Sequence, residues 1–338
     1  MPRPTVQINA PNQLTVLRAH LDRQLPRFAA LPGVVGITLN GGLSRGYADH
    51  LSEIDVTFFL ASDAFRQWGA GQAPFGTGIQ VIDGALYDLK ALDLDAERAR
   101  AWEMVALWDA SYAEVLHDPT GAITALLAEK LAQRPDPLTA GGPLFAAWWH
   151  FELAGTIWIQ RGDPLQGHAM LTAAIPELVR ALFLLNREYV PHEKWLIHLS
   201  RSLDWTPPDW EPRLSSALCD LTPSVAGLRQ RQAHIAALWR DIDRRCVETC
   251  LDDYPADLHF AHQHFYGLLA WLAENSPVSV AEWEARAGLD TLNGAPFNGC
   301  ARLVGDHVIL DRERLLAMTE NDVYGWHYAL VEAVRARL

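Results

Sequence analysis

Glu53 and Asp55 stand two residues apart at the mouth of an apolar, β-branched run, ten residues after the pair Gly41-Gly42. Along a strand, side chains two apart point to the same side, so both carboxylates share one face. Like charges held that close repel and raise one another's pKa. A divalent cation relieves the repulsion, and Mg²⁺ commonly binds through one or two carboxylates plus substrate phosphates. The plain alternative has one acid in solvent and the other capping the strand.

The glycines widen the chemistry. They follow an apolar strand pattern over residues 33–39 and precede a short helix expected over 43–49. Backbone N–H groups in such a turn can approach a phosphate. Ser44 adds a hydroxyl donor and Arg45 a cation. A phosphate cradle beside metal-binding carboxylates calls for a nucleoside triphosphate, ATP in the simplest case, with Mg²⁺.

These residues need a scaffold, and the pattern supplies one. Apolar residues at three and four spacings predict a helix over 14–31, kinked at Pro26. Strands are expected over 33–39, 54–61, 79–82 and 85–94, with Asp83-Gly84 as a hairpin turn and a glycine-rich loop over 69–78. A helix over 95–108, a brief strand over 113–117 and a helix opening near Asp118-Pro119 follow. Arg134-Pro135-Asp136-Pro137 and Gly141-Gly142-Pro143 flank a boundary. Beyond it the period is helical over 143–161, 165–189, 191–203, 226–251 and 258–275. From Ser276 shorter helices surround one small strand over 301–310. The expectation is an α/β domain over residues 1–138, a small mixed sheet with helices, followed by an all-α helical bundle over 139–338.

Gly41-Gly42, ten residues, then Glu53-Ile54-Asp55 resembles the signature of the polymerase-β-like nucleotidyltransferases. That signature pairs glycine and glycine or serine with an Asp-x-Asp or Asp-x-Glu strand. The wider run, Arg45-Gly46-Tyr47-Ala48-Asp49 and Ser52, is similar to the branch of antibiotic-modifying streptomycin and lincosamide adenylyltransferases. Asn186, Tyr189, Pro191, Lys194 and Trp195 look like a further pattern of that branch. The resemblance implies a nucleotidyltransferase domain followed by a helical substrate-binding domain. It implies transfer of a nucleoside monophosphate, AMP from ATP, to a hydroxyl of a small molecule such as an aminoglycoside. Two residues depart from the signature. Glu53 replaces the usual aspartate, and its longer side chain must retract to hold the same ion. Gly42 takes a place often held by serine, although the signature allows glycine there.

The resemblance also implies a third carboxylate on a following strand, as general base or further metal ligand, and Asp88 is the choice. Its rival Asp83 is explained by its turn. Asp93 and Asp95 read as strand end and helix cap. Lys194 is implied as a triphosphate contact from the second domain, with an ordinary surface lysine as the alternative. Transfer to a protein side chain, or a catalytically silent nucleotide sensor, are the other functional readings.

Weaker features have plain explanations. Cys246 and Cys250, with His259, His262 and His264 downstream, fit buried small residues better than zinc. Trp148, Trp149 and Trp158 read as core, though tryptophans also suit an acceptor pocket. Glu152, Asp204, Asp209 and Asp252-Asp253 could face a cationic acceptor. The net charge of −13 repels nucleic acid and anionic membranes, so neither is an expected partner. The amino-terminal MPRPTVQINAPNQ lacks an apolar signal core. The apolar stretch 144–159 is interrupted by His150 and Glu152 and is too short to span a bilayer. Four cysteines do not make a disulfide framework, and a cytoplasmic location is expected.

Overall fold

His20, Leu21, Gln24 and Phe28 recur on one face of the helix Leu14–Ala29 and are buried there. They meet the apolar face of a five-stranded sheet in the computed structural model, which describes residues 3–338. The strands are β1 (Val34–Leu39), β2 (Ile54–Leu60), β3 (Gly78–Ile82), β4 (Ala85–Asp93) and β5 (Glu114–His117), in the order β3-β4-β2-β1-β5. β2 and β4 run parallel, and the other pairs are antiparallel. The pleat sorts the side chains. Ile37, Leu39, Ile54, Val56, Phe58, Tyr87 and Leu89 join Leu21 and Phe28 in the main core.

The opposite face is divided. At one end Phe59 packs with Ile123 and Leu126 of the helix Ala122–Lys130. At the other end the alternate positions are polar: Thr38 on β1, Asp55 and Thr57 on β2, and Asp88 and Lys90 on β4. A sheet face that is apolar along half its length and charged along the rest makes the charged half a candidate site.

The strands and turns lie close to their expected positions, including the Asp83-Gly84 reversal, where both residues have positive φ. The helix expected over 95–108 is two helices, Leu94–Ala99 and Met104–Ala110. The helix expected over 43–49 is only a four-residue turn, Gly41–Ser44.

The chain divides into two units. The first comprises Met1–Asp136 together with Asn186–Thr206, and the second Pro137–Leu185 together with Pro207–Leu338. The segment 186–206, read from sequence as part of a second domain, thus contributes to the first. Within the first unit Asn186 exchanges hydrogen bonds with the Trp205 backbone, and the Tyr189 hydroxyl donates to Gln133 O at 2.7 Å.

The second unit is mostly helical but not all-α. Its central helix Pro164–Leu185 is apolar and largely buried among Gly141–Trp148, Gly155–Arg161, Trp210–Cys219 and Val225–Cys250. By composition that helix is long enough to cross a membrane, yet its apolar surface is spent on this core. A three-stranded sheet, β6 (Val278–Ser279), β7 (Ala301–Val304) and β8 (His307–Leu310), packs on helix Gln263–Asn275. The single strand expected over 301–310 is therefore a hairpin, because Gly305-Asp306 reverses the chain.

Candidate active site

The charged half of the sheet opens into a cavity of about 470 Å³, built wholly from the first unit. Gly41, Gly42, Glu53, Asp55 and Lys90 line it from the sheet side. Trp108 and Asp109 line it from helix Met104–Ala110, and His192, Lys194 and Trp195 from the start of helix Glu193–Ser200.

The turn after β1 is fitted to Asp55. Gly41 has φ of 68°, and a Cβ there would lie 1.8 Å from Asp55 Oδ2. Only glycine allows both that backbone and that approach. Asn40 N donates to Asp55 O at 3.0 Å, which ties the turn to β2. A Cβ on Gly42 would come 2.9 Å from the Tyr47 carbonyl, so serine at this place would need the loop to move. By position, the first N–H groups of this helical turn have no intrahelical acceptor.

Asp55 is the electrostatic centre. Burial, and then the charge of Glu53, push its pKa up to about 6, with Asp109 and Asp88 adding to the rise and Lys90 opposing it. Asp88 is the direct register partner of Asp55 across the parallel β2–β4 pair. Its carboxylate turns to Lys90, 3.4 Å away, and it is not among the residues lining the cavity. Among the described residues no group of three or more His, Cys, Asp or Glu side chains could hold a metal ion. Glu53, Asp55 and Asp88 therefore do not form a three-carboxylate cage. Lys90, two residues along the same face, draws Asp88 away. Glu53 and Asp55 together face the cavity and offer the two hard oxygen donors that Mg²⁺ uses beside phosphate.

Arg45 lies on the cavity wall, held by its neighbours. Its guanidinium donates to Asp109 Oδ1 at 2.9 Å and sits 4.7 Å from the Trp108 ring centre. Asp109 also accepts from Asn40 Nδ2 at 3.3 Å, and Asn40 accepts from the Thr38 hydroxyl at 2.8 Å. This chain of bonds braces the polar floor. Ser44 donates to Gly41 O at 3.1 Å and does not line the cavity. Lys194 does line it, in the first turn of its helix, where the His192 imidazole caps its backbone N–H.

Three cavity-lining residues carry a buried donor with no partner among the described residues: Arg45 Nε, Trp108 Nε1 and Trp195 Nε1. Unmet buried donors are costly, and their concentration around one cavity suits an acceptor-rich ligand. Sequence reasoning missed Asp109, Lys90, Trp108 and Asn40. Asp109 had one legible signal. An acid near a helix C-terminus, like Lys194 near an N-terminus, opposes the helix dipole and so asks for another reason to be there.

A family model described as a domain of unknown function, DUF4037, matches residues 101–196, less than half of the chain. Among solved structures, the chain is similar to a nucleotidyltransferase-like protein from Exiguobacterium sibiricum. Identity is 12% and the TM-score 0.43, covering 87% of this chain and 98% of that one. This is a distant likeness, and it leaves ligand and activity open. No curated protein matches the chain.

Proposed function

We propose that the first unit binds a nucleoside triphosphate with Mg²⁺ and transfers its nucleoside monophosphate to a hydroxyl of a small molecule. The observation that carries this reading is the composition of one cavity. It combines the buried, proton-attracting Asp55 and its neighbour Glu53 with a glycine turn, two lysines and unpaired buried donors. A polyphosphate and a divalent cation together answer both demands.

Glu53 and Asp55 would hold the cation, whose chemistry is to neutralise phosphate charge and polarise the phosphorus. The remaining work falls to the chain itself. The Gly41-Gly42 turn lets backbone N–H groups reach phosphate oxygens. Lys90 and Lys194 supply positive charge at the wall. A triphosphate that attracts Lys90 releases Asp88, which then accepts the proton of the acceptor hydroxyl. The hydroxyl oxygen bonds to the α-phosphorus and pyrophosphate leaves. Catalysis is mainly positioning and charge stabilisation. The net charge of −13 and the resemblance to streptomycin and lincosamide adenylyltransferases both support a cationic acceptor of aminoglycoside type, with ATP as donor. Transfer to a protein side chain uses the same machinery with a different acceptor.

A second reading is a catalytically silent nucleotide-binding relative. Glu53 in place of aspartate and the Asp88–Lys90 ion pair favour it. Calorimetry with a non-hydrolysable ATP analogue tests the common part: binding requires Mg²⁺ and disappears in Asp55→Ala. Labelled ATP with a panel of aminoglycosides then separates the two. Pyrophosphate release lost in Asp88→Asn, with ATP binding retained, supports the enzyme; binding without turnover supports the sensor. Absence of any triphosphate binding refutes both.

A further inference from the structure

The second unit holds a cavity of about 460 Å³ that the nucleotide reading does not use. Its walls are aromatic. Trp148 and Trp326 lie 4.2 Å apart between ring centres, and Phe145 is 5.6 Å from Trp326. Trp149 and Tyr324 complete the rim, 44% and 73% exposed. The one carboxylate on the wall is Glu152, which is exposed and has no ion pair or hydrogen bond among the described residues.

Local backbone geometry places these groups. Trp149–Ala154 is a π-helical segment between the α-helices Gly141–Trp148 and Gly155–Arg161. Such segments are rare and recur at functional sites, since the wider turn re-aims side chains at the cost of regular bonding. Here Gln232 Nε2 secures it, donating to Phe151 O at 2.8 Å and to the Thr156 hydroxyl at 3.0 Å. The segment carries both Trp149 and Glu152. On the opposite wall Trp326 is fixed in place. His262 packs against its ring, tilted by 33° with 3.6 Å between centres, and hydrogen-bonds its carbonyl at 2.9 Å.

Trp326 is only 8% exposed, and its indole N–H has no hydrogen-bond partner among the described residues. His327 also lines the cavity, and burial lowers its pKa, so it adds no positive charge there at neutral pH. The cavity thus offers electron-rich ring faces and one free negative charge, with no cationic side chain on its wall. Aromatic faces attract cations through the ring quadrupole, most strongly those that shed water easily. A hydrated metal ion does not suit apolar walls, and a neutral apolar molecule leaves Glu152 unused.

We propose that this cavity binds an organic cation, an ammonium group with apolar or aromatic substituents, with the indole rings as its walls and Glu152 as its counter-charge. The proposal does not depend on nucleotide binding in the first unit. The test titrates benzyltrimethylammonium into the full-length protein by calorimetry, then compares choline with its neutral carbon isostere, 3,3-dimethyl-1-butanol. The expected result is saturable 1:1 binding, weakened on the order of tenfold by Glu152→Gln and by Trp149→Ala, with choline preferred over the alcohol. Both substituted side chains are exposed, so folding is preserved, and Asp55→Ala leaves the affinity unchanged. No saturable binding of benzyltrimethylammonium in the millimolar range overturns the proposal. So does equal affinity for choline and the alcohol, or indifference to both substitutions.

Discussion

Replacing Asp55 by asparagine isolates the electrostatic cost of the site. The carboxamide has nearly the shape of the carboxylate and fits beneath Gly41, so packing is kept while the charge is lost. The Asp55 pKa is pushed up to about 6 from an ordinary value of 3.8. That difference corresponds to ~3 kcal/mol as an upper bound, and to ~1–2 kcal/mol after allowance for the partial exposure of the residue. The sign follows from proton binding. Between these pKa values the folded protein holds a proton that the unfolded chain has released, so stability falls as pH rises through 4 to 6 and stays low above about 7. Asp55→Asn removes this loss. Urea unfolding followed by amide hydrogen exchange of first-unit peptides should show the variant more stable than wild type by ~1–2 kcal/mol at pH 8 and by little at pH 4. Mg²⁺ with an ATP analogue should stabilise the wild type at pH 8 and leave the variant unmoved. A variant that loses stability equally at both pH values would show that the Asp55 charge is well satisfied within the protein, and the crowding reasoning would fail.

Gly41→Ala forces a Cβ onto the Asp55 carboxylate in a left-handed backbone. It should cost ~2–4 kcal/mol and abolish triphosphate binding, measured by denaturant midpoint and calorimetry. Arg45→Lys loses the planar contact with Trp108 and the bond to Asp109. A loss of ~1–3 kcal/mol in unfolding free energy is expected, and full stability in that variant would refute the bracing role. In the second unit Arg231 is 1% exposed and donates to Ala217 O at 2.7 Å, His168 O at 3.1 Å and the Thr172 hydroxyl at 3.0 Å. Arg231→Ala strands those acceptors on two neighbouring helices and should cost ~3 kcal/mol or more in thermal unfolding. His262 is held neutral, its pKa pushed down to about 3 by burial and by His259. The unfolded chain binds a proton that the folded one refuses, so second-unit stability should fall as pH drops below about 6.5, a slope that His262→Asn flattens in acid titrations followed by circular dichroism.

Much of the first unit was legible in sequence because its signals are local. Alternation gave the strands, Asp83-Gly84 gave their hairpin, and the spacing of Gly41, Glu53 and Asp55 pointed to residues that line one cavity. Contacts between distant segments were not legible. Lys90 reaches the cavity because parallel pairing sets β4 beside β2, although its ion pair with Asp88, two residues away on the same strand face, had a local signal. Asp109 matters through Arg45 and Asn40, 64 and 69 residues away. In the second unit, helical periodicity hid the π segment at Trp149–Ala154, and the β7–β8 hairpin read as one strand. The π segment keeps an apolar helical pattern while widening a single turn, and the hairpin is an apolar run divided only by Gly305-Asp306.

The first unit is not contiguous in the chain, and synthesis must respect that order. A ribosome releases residues 1–136 long before His192, Lys194 and Trp195 emerge. The nascent α/β core therefore waits, its cavity wall missing, while the intervening 49 residues of 137–185 are made. A gene truncated after Asp136 would encode the sheet and its carboxylates but not Lys194 and Trp195, so neither unit corresponds to one uninterrupted stretch of the chain.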